Sequence, residues 1–186
     1  MGNIGVISDT HGLLRPSAIA ALSPSDLIIH AGDVGKPEVL EELCAIAPVI
    51  AVRGNIDKGA LAQKLPEREV LELGGCRILI LHDLADLDPR EAGFQAVIFG
   101  HSHRPLIETR EEVLHFNPGS AGPRRFRLPV TVGRLTIAGG EMRAEIIELG
   151  TPQETPASSP KRLLRAVARA ARGVHYAVIK PSGAAR

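Results

Sequence analysis

Three short runs rich in Ile and Val, NIGVIS (3–8), LIIH (27–30) and VIAV (49–52), are separated by stretches of helical spacing. No other feature restricts the fold as much. Each run is bounded by Gly, Pro or polar residues, the pattern of a strand covered on both faces. Between them lie PSAIAAL, with Pro16 suited to a first helical turn, and KPEVLEELCAIA. A β-α-β-α-β order of this kind builds parallel strands, because a helical crossover returns the chain to the same end of the sheet.

The second half reads differently. RILIL (77–81) and AVIF (96–99) are further buried strands. EREVLEL and CRILIL flank Gly74-Gly75, and a second hairpin is expected at Gly139-Gly140 within TVGRLTIAGGEMRAEIIEL. The fold class expected is therefore α/β (α+β): two mixed β-sheets packed face to face with helices outside, a four-layer sandwich. Charge and composition divide the chain. Residues 1–150 carry 15 Lys and Arg against 20 Asp and Glu, whereas residues 151–186 carry 7 against 1. TPQETPASSP at the boundary is a linker that does not pack. One domain over 1–150 and a basic tail over 151–186, helical near 161–173, follow from this.

What stands after each strand matters most. The first run ends in SDTHG (Asp9, His11), the second in HAGD (Asp33), and the third in RGNID (Asn55, Asp57). The strand at 77–81 leads into His82 and Asp83, and the one at 96–99 into His101 and His103. Ligand sites in open α/β sheets form at the carboxyl ends of strands, so these five ends converge on one pocket. Imidazole and carboxylate without thiolate suit borderline divalent ions, and a lone Asp in a tight turn after Gly32 can bridge two of them. Two divalent ions facing two aspartates keep a surplus of positive charge, which attracts phosphate oxyanions and lowers the pKa of bound water.

Taken in order, D-x-H (Asp9, His11), G-D (Gly32, Asp33), G-N (Gly54, Asn55), a lone His after a strand (His82) and G-H-x-H (Gly100 to His103) resemble the calcineurin-like metallophosphoesterases. With HAGD, VRGNID, FGHSHRP and NPGSAGPRR, the resemblance extends to the small bacterial and archaeal phosphodiesterase subfamily, over about residues 3–149. It implies a phosphodiesterase in which Asp9, His11, Asp33 and His103 hold one metal. Asp33, Asn55, His82 and His101 would hold the second. A hydroxide between the ions would attack phosphorus in line, with Asp33, Asn55 and His11 as the catalytic residues. Mn is the metal expected, with Ni, Fe, Co, Zn or Mg as alternatives. The implied substrate is a small phosphate ester, and the implied assembly a homodimer or larger.

Two positions depart from the family pattern. Ile56 stands where the larger family has a His able to protonate the leaving group, although Asp57 matches the acidic position that follows. Asp83 replaces the usual Gly after the metal-binding His. A carboxylate there either orients a water beside the metal or repels phosphate. The competing reading is a non-catalytic interaction scaffold on the same fold. Seven competent ligand positions favour the enzyme; Ile56 is the one feature on the other side.

Other polar residues read as structural. His30 is expected to pack or hydrogen-bond, His115 and His175 are ordinary, and Arg53 and Arg124 serve the surface. Asn117 to Ser120 is expected to form a turn under the site. Aromatic residues at 3% with no Trp argue against stacking platforms for single-stranded nucleic acid. No stretch approaches the roughly 20 apolar residues that span a bilayer, and no secretory pattern opens the chain. Cys44 and Cys76 lack a C-x-x-C spacing, so a reducing cytoplasm is the expected compartment. In the tail, charges at 162, 165, 169 and 172 share one helical face opposite Leu163, Leu164 and Val167. Such a helix suits an anionic membrane or nucleic acid; a solvated extension, or a helix docked on the acidic core, is the reading preferred.

Overall fold

The computed structural model describes residues 2–88, 90–125 and 127–150; the tail and its expected helix lie outside the described residues. Ten strands form two sheets. In the first half, β1 (Gly2–Ile7), β2 (Leu27–Ala31) and β3 (Val49–Val52) alternate with α1 (Pro16–Leu22) and α2 (Pro37–Cys44). Then come α3 (Gly59–Lys64), β4 (Arg68–Leu73), β5 (Cys76–Leu81), β6 (Ala96–Ile98), β7 (Leu106–Arg110), β8 (Val113–Asn117), β9 (Thr131–Ala138) and β10 (Glu141–Glu148). A 3-10 turn at Leu84–Asp86 follows β5.

The first sheet has the order β10-β9-β1-β2-β3, with β1, β2 and β3 parallel and the β9-β10 hairpin antiparallel beside β1. The second has the order β4-β5-β6-β8-β7, with β5, β6 and β8 parallel at its centre and antiparallel strands at both edges. Both hairpins expected at Gly pairs are present, since Leu73 faces Cys76 and Ala138 faces Glu141. Both helices of the first half open with Pro, α1 at the Pro16 that the sequence predicts for its first turn, and α2 closes before Pro48.

Ile4, Val6, Ile29, Ile78, Ile80, Ile98, Phe116 and Leu135 fill the space between the sheets and are almost fully buried. The outer face of the first sheet packs Ile7, Ile28 and Val132 against Ala18 and Leu22 of α1, Val39, Leu40 and Leu43 of α2, and Leu61 of α3. On the second sheet Leu79, Leu81, Val97 and Phe99 meet Leu84, Leu87 and Phe94, so among the described residues that outer layer is a short turn and irregular chain. Burying a Leu, Ile or Phe side chain is worth about 1.5–3 kcal/mol, so these three clusters fix how the sheets sit together. With the sheets fixed, the carboxyl ends of β1, β2 and β3 face those of β5 and β6 across one rim.

Candidate metal centre

The seven residues singled out from the sequence form a closed circuit of contacts at that rim. Asp9 Oδ1 lies 3.2 Å from His103 Nε2, which is 3.2 Å from His11 Nε2. His11 Nε2 is 3.8 Å from Asp33 Oδ2, and the other oxygen of Asp33 is 3.3 Å from His82 Nε2. His82 Nε2 lies 3.2 Å from Asn55 Oδ1, which is 3.1 Å from His101 Nδ1. The backbone amide of His101 closes the circuit by donating to Asp9 Oδ2 at 3.1 Å. Asp9, His11 and His103 bring one ligand atom each within 4.8 Å of one another, and so do Asp9, Asp33 and His82.

The backbone at these positions is unusual. Asp9 (φ 53°), His11 (47°), Asp33 (55°), His101 (65°) and His103 (59°) are all left-handed. Among the described residues only two other non-Gly residues, Glu111 and Glu112, share that conformation. An L-residue there costs on the order of 1–3 kcal/mol and persists only where its surroundings enforce it. The enforcement is visible. Asp9 N donates to Gly32 O, His11 N to Asp33 O and Gly100 N to His82 O, which lashes neighbouring strand ends together. Asp57 is a further lashing, since its buried carboxylate accepts from the amides of Val34 (3.2 Å), Gly35 (2.7 Å) and Gly54 (2.9 Å). Close approach also demands glycine. A Cβ on Gly54 would lie 2.1 Å from Asp33 Oδ1, and one on Gly100 would lie 2.0 Å from Ser8 Oγ.

The electrostatics are those of a site that wants a cation. His82 Nδ1 lies 2.8 Å from Ala31 O, so the ring hydrogen belongs there and the Nε2 lone pair faces the oxygens of Asp33 and Asn55. In the neutral ring, acceptor thus points at acceptor. Asp9 is fully buried, and its Oδ1 has no hydrogen-bond donor. The facing Nε2 atoms of His11 and His103 cannot both carry hydrogen at 3.2 Å. Burial alone would lower the His82 pKa, but the hydrogen bonds with Asp33 and Ala31 and the nearby carboxylates outweigh it and raise it. Burial would raise the Asp33 carboxyl, yet bonds from His82 and the Ile56 amide, with the charges of His82 and His11, hold it below its ordinary value. At His11 burial wins and lowers the pKa, with the Arg125 guanidinium adding to it. Imidazole, carboxylate and amide donors with orphaned lone pairs fit a divalent ion.

Beside His82 and His101 opens a cleft of about 500 Å³, lined also by Arg53, Asn55, Asp83 and Asp86. Arg53 is tied up by Glu67 and the carbonyl of Ala62. Among the described residues Arg125 reaches the centre, its Nη2 3.4 Å from His11 Nε2. Sequence reasoning passed over it and weighed Arg124 instead; the only signal was the Arg pair in GPRR. His30 is a buried packing residue, its Nε2 2.9 Å from Thr10 Oγ1. Asn117 fastens the turn under the site by donating to Gly100 O at 2.7 Å, and Ser120 Oγ donates to Asp9 O at 3.0 Å. Neither of these two contacts reaches into the cleft.

Residues 3–140 match the profile of the calcineurin-like phosphoesterase superfamily domain. A probable metallophosphoesterase of Methanothermobacter thermautotrophicus is 36% identical over 165 residues, covering 80% of this chain and 94% of that protein. Phosphodiesterase YfcE of Escherichia coli K12 is 31% identical over 159 residues, 69% of this chain and 84% of its own length. The solved structure of YfcE aligns with a TM-score of 0.58 at 26% identity, over 80% of this chain and 100% of that one. Vps29 of Chaetomium thermophilum shares the fold, with a TM-score of 0.65 at 19% identity over 82% of this chain and 100% of its own.

Proposed function

Because the chain belongs to the calcineurin-like phosphoesterase superfamily, we propose that it is a metal-dependent phosphodiesterase whose catalytic unit is residues 1–150. The observation that carries this reading is the circuit of seven residues at five strand ends, whose imidazole, carboxylate and amide groups converge on one rim. Asp9, His11, Asp33 and His103 would hold one divalent ion, and Asp33, Asn55, His82 and His101 a second, with Mn suited to the mixed nitrogen and oxygen donors. Two such ions would supply an activated water for in-line attack and positive charge for the phosphoryl oxygens.

The chain's own residues do the rest. Asp33, with one oxygen toward His11 and one toward His82, holds the two halves in register. The Ile56 amide fixes that carboxylate by donating to its Oδ1 at 3.0 Å. Arg125 stands beside His11, and a cation there favours an anionic ester. Ile56 itself, 36% exposed, offers no proton to a leaving group. The cleft lined by Arg53, Asp83 and Asp86 would receive one substituent of the ester.

The test is an assay of metal-stripped protein against a panel of phosphodiesters and monoesters, with each divalent metal added back. Turnover absent without metal and restored on diesters by Mn²⁺ is the result expected. Protein that binds the metals yet hydrolyses none of the panel would instead be an interaction scaffold.

A further inference from the structure

His101 is the least enclosed ligand candidate of the four histidines. Its side chain is 46% exposed, against 11% for His11, 6% for His82 and 7% for His103. A ring so placed needs an anchor to face one way. In the cleft, Asp83 Oδ2 lies 3.5 Å from its Nε2. Asp83 is itself fixed, because its Oδ1 accepts from the Ala85 amide at 3.0 Å and caps the 3-10 turn. The two residues face each other because Gly100 N donates to His82 O at 2.9 Å, tying the end of β5 to the end of β6.

Resting on the metal centre proposed above, we propose that Asp83 is a positioning residue: it fixes His101 with hydrogen on Nε2 and the Nδ1 lone pair turned toward Asn55. An ionised carboxylate only accepts, so the ring nitrogen facing it must be the one that carries hydrogen. A neutral imidazole has one N–H, which leaves Nδ1, 3.1 Å from Asn55 Oδ1, as the ligand atom. The carboxylate also stops the exposed ring from turning. Asp83 would therefore act on a bound ion through His101.

The test uses full-length metal-stripped protein, titrated calorimetrically with Mn²⁺, as wild type, Asp83→Ser and Asp83→Asn. Both substitutions keep an acceptor for the Ala85 amide, so the turn remains capped. With its oxygen held there, the Asn side chain presents N–H to His101 Nε2 and reverses the ring's hydrogen. The weaker of two binding steps should weaken about 10–100-fold, more in Asp83→Asn than in Asp83→Ser, with the tighter step little changed. Nitrogen NMR of the Zn²⁺-loaded wild type should find the His101 hydrogen on Nε2. Hydrogen on Nδ1, or an unchanged second step in a wild type that binds two ions, overturns the role of Asp83 alone. A wild type that binds fewer than two ions overturns the metal centre together with it.

Discussion

Asp33 turns one oxygen toward an imidazole of each half of the centre, Oδ2 at 3.8 Å from His11 and Oδ1 at 3.3 Å from His82. Asp33→Asn therefore weakens both ions at once. An ion at 100 times its dissociation constant adds about 2.7 kcal/mol to folding stability. At roughly 2–4 °C per kcal/mol for a domain of this size, two ions should raise Tm by about 10–20 °C. If each affinity falls about 100-fold, the same metal concentration leaves only about 0.4 kcal/mol per ion. The variant should then gain about 2–3 °C. Without metal the two proteins should differ little, since the amide oxygen of Asn still accepts from Ile56 N, and one such bond is worth about 1 kcal/mol. Thermal unfolding with EDTA and with Mn²⁺ separates these quantities. His101→Gln, which touches one half only, serves as the intermediate case. Full metal stabilisation of Asp33→Asn, or near wild-type turnover at limiting metal, would refute the shared role.

Three further outcomes follow from the same geometry. Ile56→His should recover part of the roughly 10²–10⁴ that general-acid help contributes for poor leaving groups and change little for good ones; a wild-type rate already insensitive to leaving-group pKa would show that another group donates the proton. Gly54→Ala should abolish most metal stabilisation, because its Cβ would sit 2.3 Å from the Asp33 backbone nitrogen, and unchanged Mn²⁺ affinity would sink that reading. His30, fully buried, is held down to about 4 from 6.5, chiefly by burial. The unfolded chain thus takes the proton first, so the contribution of His30 is whole above about pH 6.5 and is lost as pH falls toward about 4. At about 1.36 kcal/mol per unit the loss approaches roughly 3 kcal/mol. In metal-free protein His30→Gln should flatten the pH dependence of denaturant stability in that window; an identical slope would count against it.

The first half of the fold was plain in the sequence because Pro16, Pro37 and the Ile-Val runs give a local signal for each element. The hairpin of β7 and β8 was not, since its turn residues Glu111 and Glu112 adopt left-handed φ without the Gly or Asn that announces such a turn. The short α3 and the 3-10 turn carry too few residues for periodicity to show. At the site, the ligand types were legible because each follows a strand. Arg125 and the pairing of Asp83 with His101 were not, because both depend on which loops face each other. Asp57 matched a pattern by position, yet its bonds to three amides arise only when the second and third strand ends meet.

Left-handed backbone at Asp9, His11, Asp33, His101 and His103 also decides how the centre should be dissected. Alanine at any of them keeps the Cβ that the conformation penalises while discarding the contacts that enforce it, so lost ligation and lost stability become entangled. Glycine removes ligand and penalty together, by an amount on the order of 1 kcal/mol. A glycine scan of these five positions should yield chains that lose less stability without metal than their alanine counterparts and gain less than the parent on its addition, least of all at Asp33.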